Sequence, residues 1–330
     1  MKASRLTLAI EAGYDLPEDG RIAVIGARAS DDLSALPKDR VQVIQGFKPD
    51  YDYWRGLGYD CVAEPDGTYA AAILFLPRSK AQAQEQIADL ATRVEGPIWV
   101  DGQKTDGVDS LLKHCRQRAD VDAPLAKAHG KLFAMRAEAK DFSDWQATAT
   151  EIGTFTTLPG VFSADGVDRG SELLVEALPE MMKGRIADLG AGWGFLSFHA
   201  LRKGGVTEVH LVEADHLALE CARQNVHDAR AQFHWADATS FNDGAPFDHV
   251  ICNPPFHTGR AAEPELGQAF LKNAARILTP SGQLWVVANR QLPYEQTLAQ
   301  LFRNVEEIGG DRGFKLLHAT RPLAQGRRKR

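Results

Sequence analysis

The chain has 330 residues, 44% hydrophobic and 25% charged, enough for two domains that each bury a core. These values exclude a long disordered or low-complexity chain, and no run approaches the ~20 apolar residues of a membrane span. Net charge is −6, with 19 basic against 23 acidic residues over 1–150 and 19 against 21 in the remainder. A nucleic-acid partner would therefore need a local basic face rather than a basic domain.

In chain order, MKASRLTLAIEAGYDLPEDG opens with basic residues but has no sustained apolar stretch, so a cytoplasmic protein is expected. Strand-like runs follow at 21–27 (RIAVIGA), 41–46 (VQVIQG), 69–77 (YAAAILFLP) and 97–102 (PIWVDG), with helical character over 80–94. The segment 145–160 joins this half to the next and has room for a short strand. The second half alternates more clearly. Strands are expected at 185–190, 208–214, 231–236, 247–253 and 283–289, with a final one at 314–322. Helices are expected over 195–204, 216–229 and 265–282, the last closed by Pro280 and Gly282. Such alternation predicts an α/β fold of mostly parallel, doubly wound sheets, divided into domains 1–145 and 146–330. Cys61, Cys115, Cys221 and Cys252 are scattered, without metal-ligand spacing, which suits a reducing compartment and no bound metal. The tail GRRKR (326–330) could touch phosphates or remain a solvated end.

Chemistry-bearing residues cluster at the expected strand ends. ADLGAGWGF (187–195) places Asp188 before Gly190, Gly192 and Gly194, a turn that lets backbone approach a ligand at a helix N-terminus. The third glycine comes one position too early for a dinucleotide fingerprint, which leaves a dehydrogenase unsupported. Glu213 ends the second strand, where a carboxylate can accept ribose hydroxyls. Asp237 ends the third, and could face an adenine amino group or shape a turn. After the fourth strand, Asn253, Pro254, Pro255 and Phe256 combine a side-chain amide oxygen, a rigid proline carbonyl and an aromatic face. Two such acceptors can hold both hydrogens of an exocyclic amine on a flipped planar base, turning its lone pair toward an electrophile.

DLGAGWG, Glu213, Asp237 and NPPF together resemble the class I S-adenosylmethionine (SAM)-dependent methyltransferases that act on planar amino groups. LPGVFSADGVDRGSELL (158–174), NPPFHTG, VANRQLPY (287–294) and FLPRSKAQAQ (75–84) narrow the likeness to the bacterial small-subunit ribosomal RNA guanine-N2 methyltransferases. That resemblance implies two tandem Rossmann-like methyltransferase domains. The N-terminal one is degenerate, with GARASDD for the glycine turn and RSK for NPPF, and serves RNA docking or structural support. It implies SAM as cofactor, shaped by Gly190, Gly192 and Gly194, with Asp188 near the methionine moiety, Glu213 on the ribose, and Asp237 with the Ala238 backbone at the adenine. Asn253, Pro254 and Phe256 would position a guanine of 16S ribosomal RNA or the small subunit. Asp168, Gly170 and Ser171 open a helix expected to line the methionine end, and Trp193 stands where a small residue belongs in the turn. Protein glutamine and large-subunit guanine remain alternative substrates, and a non-catalytic assembly factor an alternative class. Two similar domains in one chain could satisfy an interface that would otherwise require a dimer.

Overall fold

The computed structural model describes residues 4–255 and 264–324. Within them the chain forms two compact units, one running to Ala149 with Leu158–Gly160 added, the other comprising Thr150–Thr157 and the chain from Val161 onward.

The first unit holds β1 (Ile22–Ile25), β2 (Val41–Ile44), β3 (Asp60–Val62), β4 (Ala71–Phe75), β5 (Ile98–Gln103), β6 (Asp120–Val121), β7 (Leu125–Lys127) and β8 (Gly130–Arg136). Its helices are α1 (Arg5–Glu11), α2 (Lys48–Gly56), α3 (Lys80–Arg93) and α4 (Val108–Cys115). The sheet runs β3-β2-β1-β4-β5-β8-β6, parallel from β3 to β5, with β8 antiparallel to β5 and β7 paired on β8. Residues of β1 are buried throughout, as a strand covered on both faces requires. Ala23 and Ile25 join α3 and α4 on one face; Ile22 and Val24 join Leu6 of α1 and Trp54 of α2 on the other.

The second unit begins with a hairpin, β9 (Thr150–Ile152) and β10 (Phe155–Thr157), within the segment expected to link the domains. It continues with α5 (Arg169–Ala177), β11 (Met181–Leu189), α6 (Phe195–Ala200), β12 (Gly204–Glu213), α7 (His216–Asn225), β13 (Ala231–Trp235) and β14 (Phe247–Cys252). After α8 (Pro264–Ile277) come β15 (Leu278–Asn289), α9 (Tyr294–Leu301), β16 (Phe302–Gly310) and β17 (Phe314–Pro322). The order β13-β12-β11-β14-β15-β17-β16 repeats the first sheet's arrangement, with β17 antiparallel to both neighbours. α8 stops at Ile277 rather than running through Pro280 to Gly282, because Leu278 already pairs with Phe247 and begins the next strand.

Strand alternation fixes which residues face which layer. Ala187 and Leu189 pack with α8 and α9, while Ile186 packs with α5, α6 and α7. Asp188, in register with Ile186, therefore lies on the α6 side. Because β11 lies between β12 and β14, the strand order reverses there. The carboxyl ends of β11, β12 and β14 surround the crevice where open α/β sheets bind ligands.

Candidate active site

The turn after β11 is held from β12: the Gly190 and Ala191 N–H groups both donate to the Val212 carbonyl, at 2.9 and 3.1 Å. Gly192 has φ +54°, and a Cβ added there would meet no protein atom within 4 Å. That side of the turn is open, as close approach of a ligand to backbone would require. Gly194 has φ +92° and caps α6; a Cβ there would come within 2.9 Å of Val226. Trp193 does not narrow the crevice. It is 4% exposed, packs its ring 5.2 Å from that of Phe155, and donates its indole N–H to the Phe162 carbonyl at 3.1 Å.

Two carboxylates flank this turn. Asp188 is fully buried; the Ser197 hydroxyl of α6 donates to its Oδ2 at 2.6 Å, while its Oδ1 has no hydrogen-bond partner. Burial pushes its carboxyl up to about 7, against the Ser197 hydrogen bond, with the charge of Glu213 adding to the rise. Glu213 ends β12 and accepts two backbone N–H groups, from Gly192 at 2.8 Å and Asp215 at 2.8 Å. Burial raises its pKa, and these hydrogen bonds oppose the rise by favouring the anion. A carboxylate has about four acceptor sites, so these hydrogen bonds leave acceptor capacity unused.

At the end of β13, Asp237 Oδ1 accepts the N–H and hydroxyl of Thr239, at 2.8 and 2.7 Å, closing a local turn. The Ala238 carbonyl is taken by Asn273 Nδ2 at 2.7 Å.

The end of β14 holds the most specific geometry. Asn253 Nδ2 donates to Asp168 Oδ2 and to Ser171 Oγ, both at 2.8 Å, while Asn253 Oδ1 is buried without a partner. Asp168 caps α5, with the Ser171 N–H donating to the same Oδ2 at 2.8 Å. Gly170 lets this first turn sit close to Phe314, whose ring atoms lie 3.1 and 3.2 Å from an added Cβ. Pro254 is buried and Pro255 half-buried beside the amide. Phe256 lies outside the described residues. Thus Asp168 and Ser171, expected at the cofactor's methionine end, meet the Asn253 amide.

The sequence reading missed three side chains that fix these loops. Ser197 partners Asp188. Asn225 donates to the Thr156 and Trp193 carbonyls, each at 2.9 Å, and accepts from Thr156 N–H at 2.7 Å. Asn273 ties the Ala238 and Phe241 carbonyls to α8. Asn273 had a legible signal: it shares an apolar helical stripe with Phe270, Ala274 and Ile277, where a polar residue must find partners. Away from the crevice, His210, His234 and Asp243 gather within 4.8 Å. The Arg185 guanidinium already donates to Asp243 and lies 3.1 Å from His210, so a protein cation fills that cluster.

The family model "Methyltransferase small domain" matches residues 152–318. The "Ribosomal RNA small subunit methyltransferase C" of Shewanella loihica is 31% identical over 76% of this chain and 76% of its own length. Its namesake from Idiomarina loihiensis is 28% identical, over 81% of this chain and 85% of that protein. The chain belongs to the ribosomal RNA small subunit methyltransferase C family. The fold agrees along almost the whole chain with that family's Thermus thermophilus structure, "16S rRNA N2 G1207 methyltransferase (RsmC) in complex with AdoMet and Guanosine". That match has a TM-score of 0.80 at 24% identity and covers 97% of this chain and 92% of the other. Both sheets thus fall within the structural likeness. Among the described residues no helix is long and apolar enough to cross a membrane.

Proposed function

We propose that this protein methylates the exocyclic N2 of a guanine in 16S ribosomal RNA, using SAM, in the cytoplasm and as a single chain. The observation that carries the reading is Asn253, whose amide is anchored through nitrogen and leaves a buried oxygen without a partner, beside Pro254 at the switch point. An acceptor of that kind suits an amine.

The crevice also suits the cofactor. The open face of Gly192, the remaining acceptor capacity of Glu213 and the orphaned Oδ1 of Asp188 fit backbone approach, a ribose and a cationic group. Gly190, Gly192 and Gly194 would hold it, with Asp188, Glu213, Asp237 and the Ala238 backbone. When bound, SAM supplies an electrophilic methyl group on a sulfonium. Asn253 Oδ1 and the Pro254 carbonyl hold the two hydrogens of the guanine amine and turn its lone pair out of the ring plane. As the nitrogen–carbon bond forms and the carbon–sulfur bond breaks, its electron pair staying on sulfur as a neutral thioether, the nitrogen would become positive and more acidic, and both acceptors would stabilise that charge. The surplus proton then leaves to water, so no strong base is needed. For the first unit we propose docking of RNA: Lys104, Lys127 and Lys131, the last paired with Asp109 at 2.6 Å, border an open groove of about 470 Å³ at the carboxyl end of β5.

The test is transfer of labelled methyl from SAM to 16S RNA and to assembled small subunits, followed by nucleoside mass spectrometry. N2-methylguanosine formed by the wild type and absent with Asn253→Ala is expected. Label on another nucleoside, or on protein, would overturn the assignment.

A further inference from the structure

We infer that Asp168 and Ser171 are positioning residues for methyl transfer: together they decide which way the Asn253 amide points. The inference rests on the reading of Asn253 as acceptor for the target amine.

An asparagine amide is nearly symmetric in shape and opposite in chemistry at its two ends. Turned one way, it offers an oxygen to the amine. Turned the other way, it offers an NH2 group, which repels an amine and cannot accept its hydrogens. Strand β14 fixes where the amide is but not how it is turned. The turn is set by what lies behind it, and two acceptors lie there: Asp168 Oδ2 and Ser171 Oγ, each 2.8 Å from Nδ2. A flipped amide would set its oxygen against the Asp168 carboxylate oxygen, which can only accept, and would keep Ser171 only by turning that hydroxyl round to donate. Asp168 is itself immobilised, because the Ser171 N–H donates to the same Oδ2 and ties it to the start of α5. The unpartnered Oδ1 is the counterpart of this arrangement: the nitrogen is fully occupied behind the amide, so the oxygen is left for a ligand in front of it.

The carboxylate contributes more than orientation. A charge-assisted hydrogen bond to Nδ2 draws positive charge toward the nitrogen end and leaves Oδ1 more negative, since hydrogen bonds through one amide polarise one another. A more negative Oδ1 is a better acceptor when the target nitrogen turns positive than before it does. Asp168 therefore acts on the chemical step more than on binding of either substrate.

Three variants of the full-length protein test this: Asp168→Ser, Asp168→Asn and Ser171→Ala. Serine and asparagine both remain good helix caps, and alanine is well tolerated inside a first turn. Turnover and RNA KM come from labelled-methyl transfer, SAM Kd from calorimetry, and fold from thermal unfolding. Asp168→Ser, which keeps the cap but cannot reach the amide, should lower kcat at least tenfold, with SAM Kd and RNA KM within twofold of wild type. Asp168→Asn, able to accept but uncharged, should recover part of that loss, and Ser171→Ala should lower kcat about threefold to tenfold. A crystal structure of Asp168→Ser should show the Asn253 amide in both orientations. A kcat within threefold of wild type for Asp168→Ser would overturn the inference, as would a SAM Kd weakened by the same factor as kcat. If Asp168→Ser does not fold, an unchanged kcat for Ser171→Ala overturns it alone. Absence of N2-methylguanosine from the wild type would instead defeat the functional reading beneath it.

Discussion

Asp188 gives the protein an unusual pH response. Its carboxyl is wholly buried, half-partnered, and pushed by burial from 3.8 up to about 7. An acid whose pKa rises on folding binds more protons when folded, so between about pH 4 and pH 7 stability falls as pH rises. The usual paired aspartate does the opposite. At about 1.4 kcal/mol per unit of displacement, the contribution across that window is on the order of 4 kcal/mol. A cationic group set against the orphaned Oδ1 would favour the ionised form and recover part of this cost on binding. Because the carboxyl is pushed up to about 7 and a cationic ligand favours its ionised form, SAM affinity should rise severalfold from pH 6 to pH 8. Asp188→Asn can still accept the Ser197 hydroxyl but cannot ionise. Its SAM Kd should vary less with pH, and its ligand-free stability at pH 8 should match or exceed that of wild type. Calorimetric titration of SAM at pH 6, 7 and 8, with urea unfolding at the same values, measures both. Glu213 is coupled to Asp188 by charge, so the difference between the two proteins reports what removing the Asp188 carboxyl does to the pair. Equal pH slopes in the two proteins, or a wild-type Kd that moves less than twofold, would refute the reasoning.

Asn253→Ala should lower single-turnover methyl transfer by about a hundredfold or more while leaving SAM Kd within twofold, because it removes an acceptor aimed at the reacting nitrogen and leaves the glycine turn, Asp188 and Glu213 untouched. Gly192→Ala should weaken SAM binding at least tenfold while costing only about 1 kcal/mol in urea unfolding, since its added Cβ meets no protein atom. Gly194→Ala should instead cost about 2–4 kcal/mol, because the same left-handed backbone is there joined by a 2.9 Å clash with Val226. Asn225→Ala should destabilise by about 3 kcal/mol, the loss of three hydrogen bonds that join β10 and the glycine turn to α7, read from the urea midpoint.

The strands that build the switch point were legible because each is a short apolar run ending in a polar or glycine-rich turn. Residues 231–236 and 247–253 came within a residue of β13 and β14. β16 was not legible: its burial pattern is largely exposed, with Arg303, Glu306 and Glu307 along it, as suits a charged edge strand. α2 was hidden for a related reason, since only Trp54 of KPDYDYWRG is fully buried and no apolar stripe forms. At the site, local sequence placed Asp188, Glu213 and Asn253 at strand ends, but it could not show what stands behind each side chain. Asp168 and Asn253 are 85 positions apart, and only the packing of α5 against the sheet brings them to 2.8 Å. Spacing reveals neighbours within one element; it does not reveal a hydrogen bond closed through the tertiary fold.

The matching strand ends of the two sheets differ in how they use their polar groups. In the first unit the turn after β1 keeps its backbone form: Gly26 has φ +70°, and its N–H donates to the Ile44 carbonyl at 3.0 Å, as Gly190 N–H does to Val212. Its polar groups are nevertheless consumed from within. The Ala27 carbonyl accepts both Gln45 Nε2 at 2.7 Å and Trp54 Nε1 at 3.0 Å, and the Arg28 N–H donates to Asp31 at 2.8 Å. None of the buried unpartnered side-chain atoms among the described residues lies at the ends of β1, β2 or β4. In the second unit, the matching strands end beside Asp188 Oδ1 and Asn253 Oδ1, both buried and both without a partner. A buried acceptor left unsatisfied costs about 1–3 kcal/mol, a cost that a ligand reaching these two would offset. The first sheet keeps its turn and pairs the polar groups beside it; the second leaves two acceptors open, the two on which the proposed binding of a cation and an amine rests.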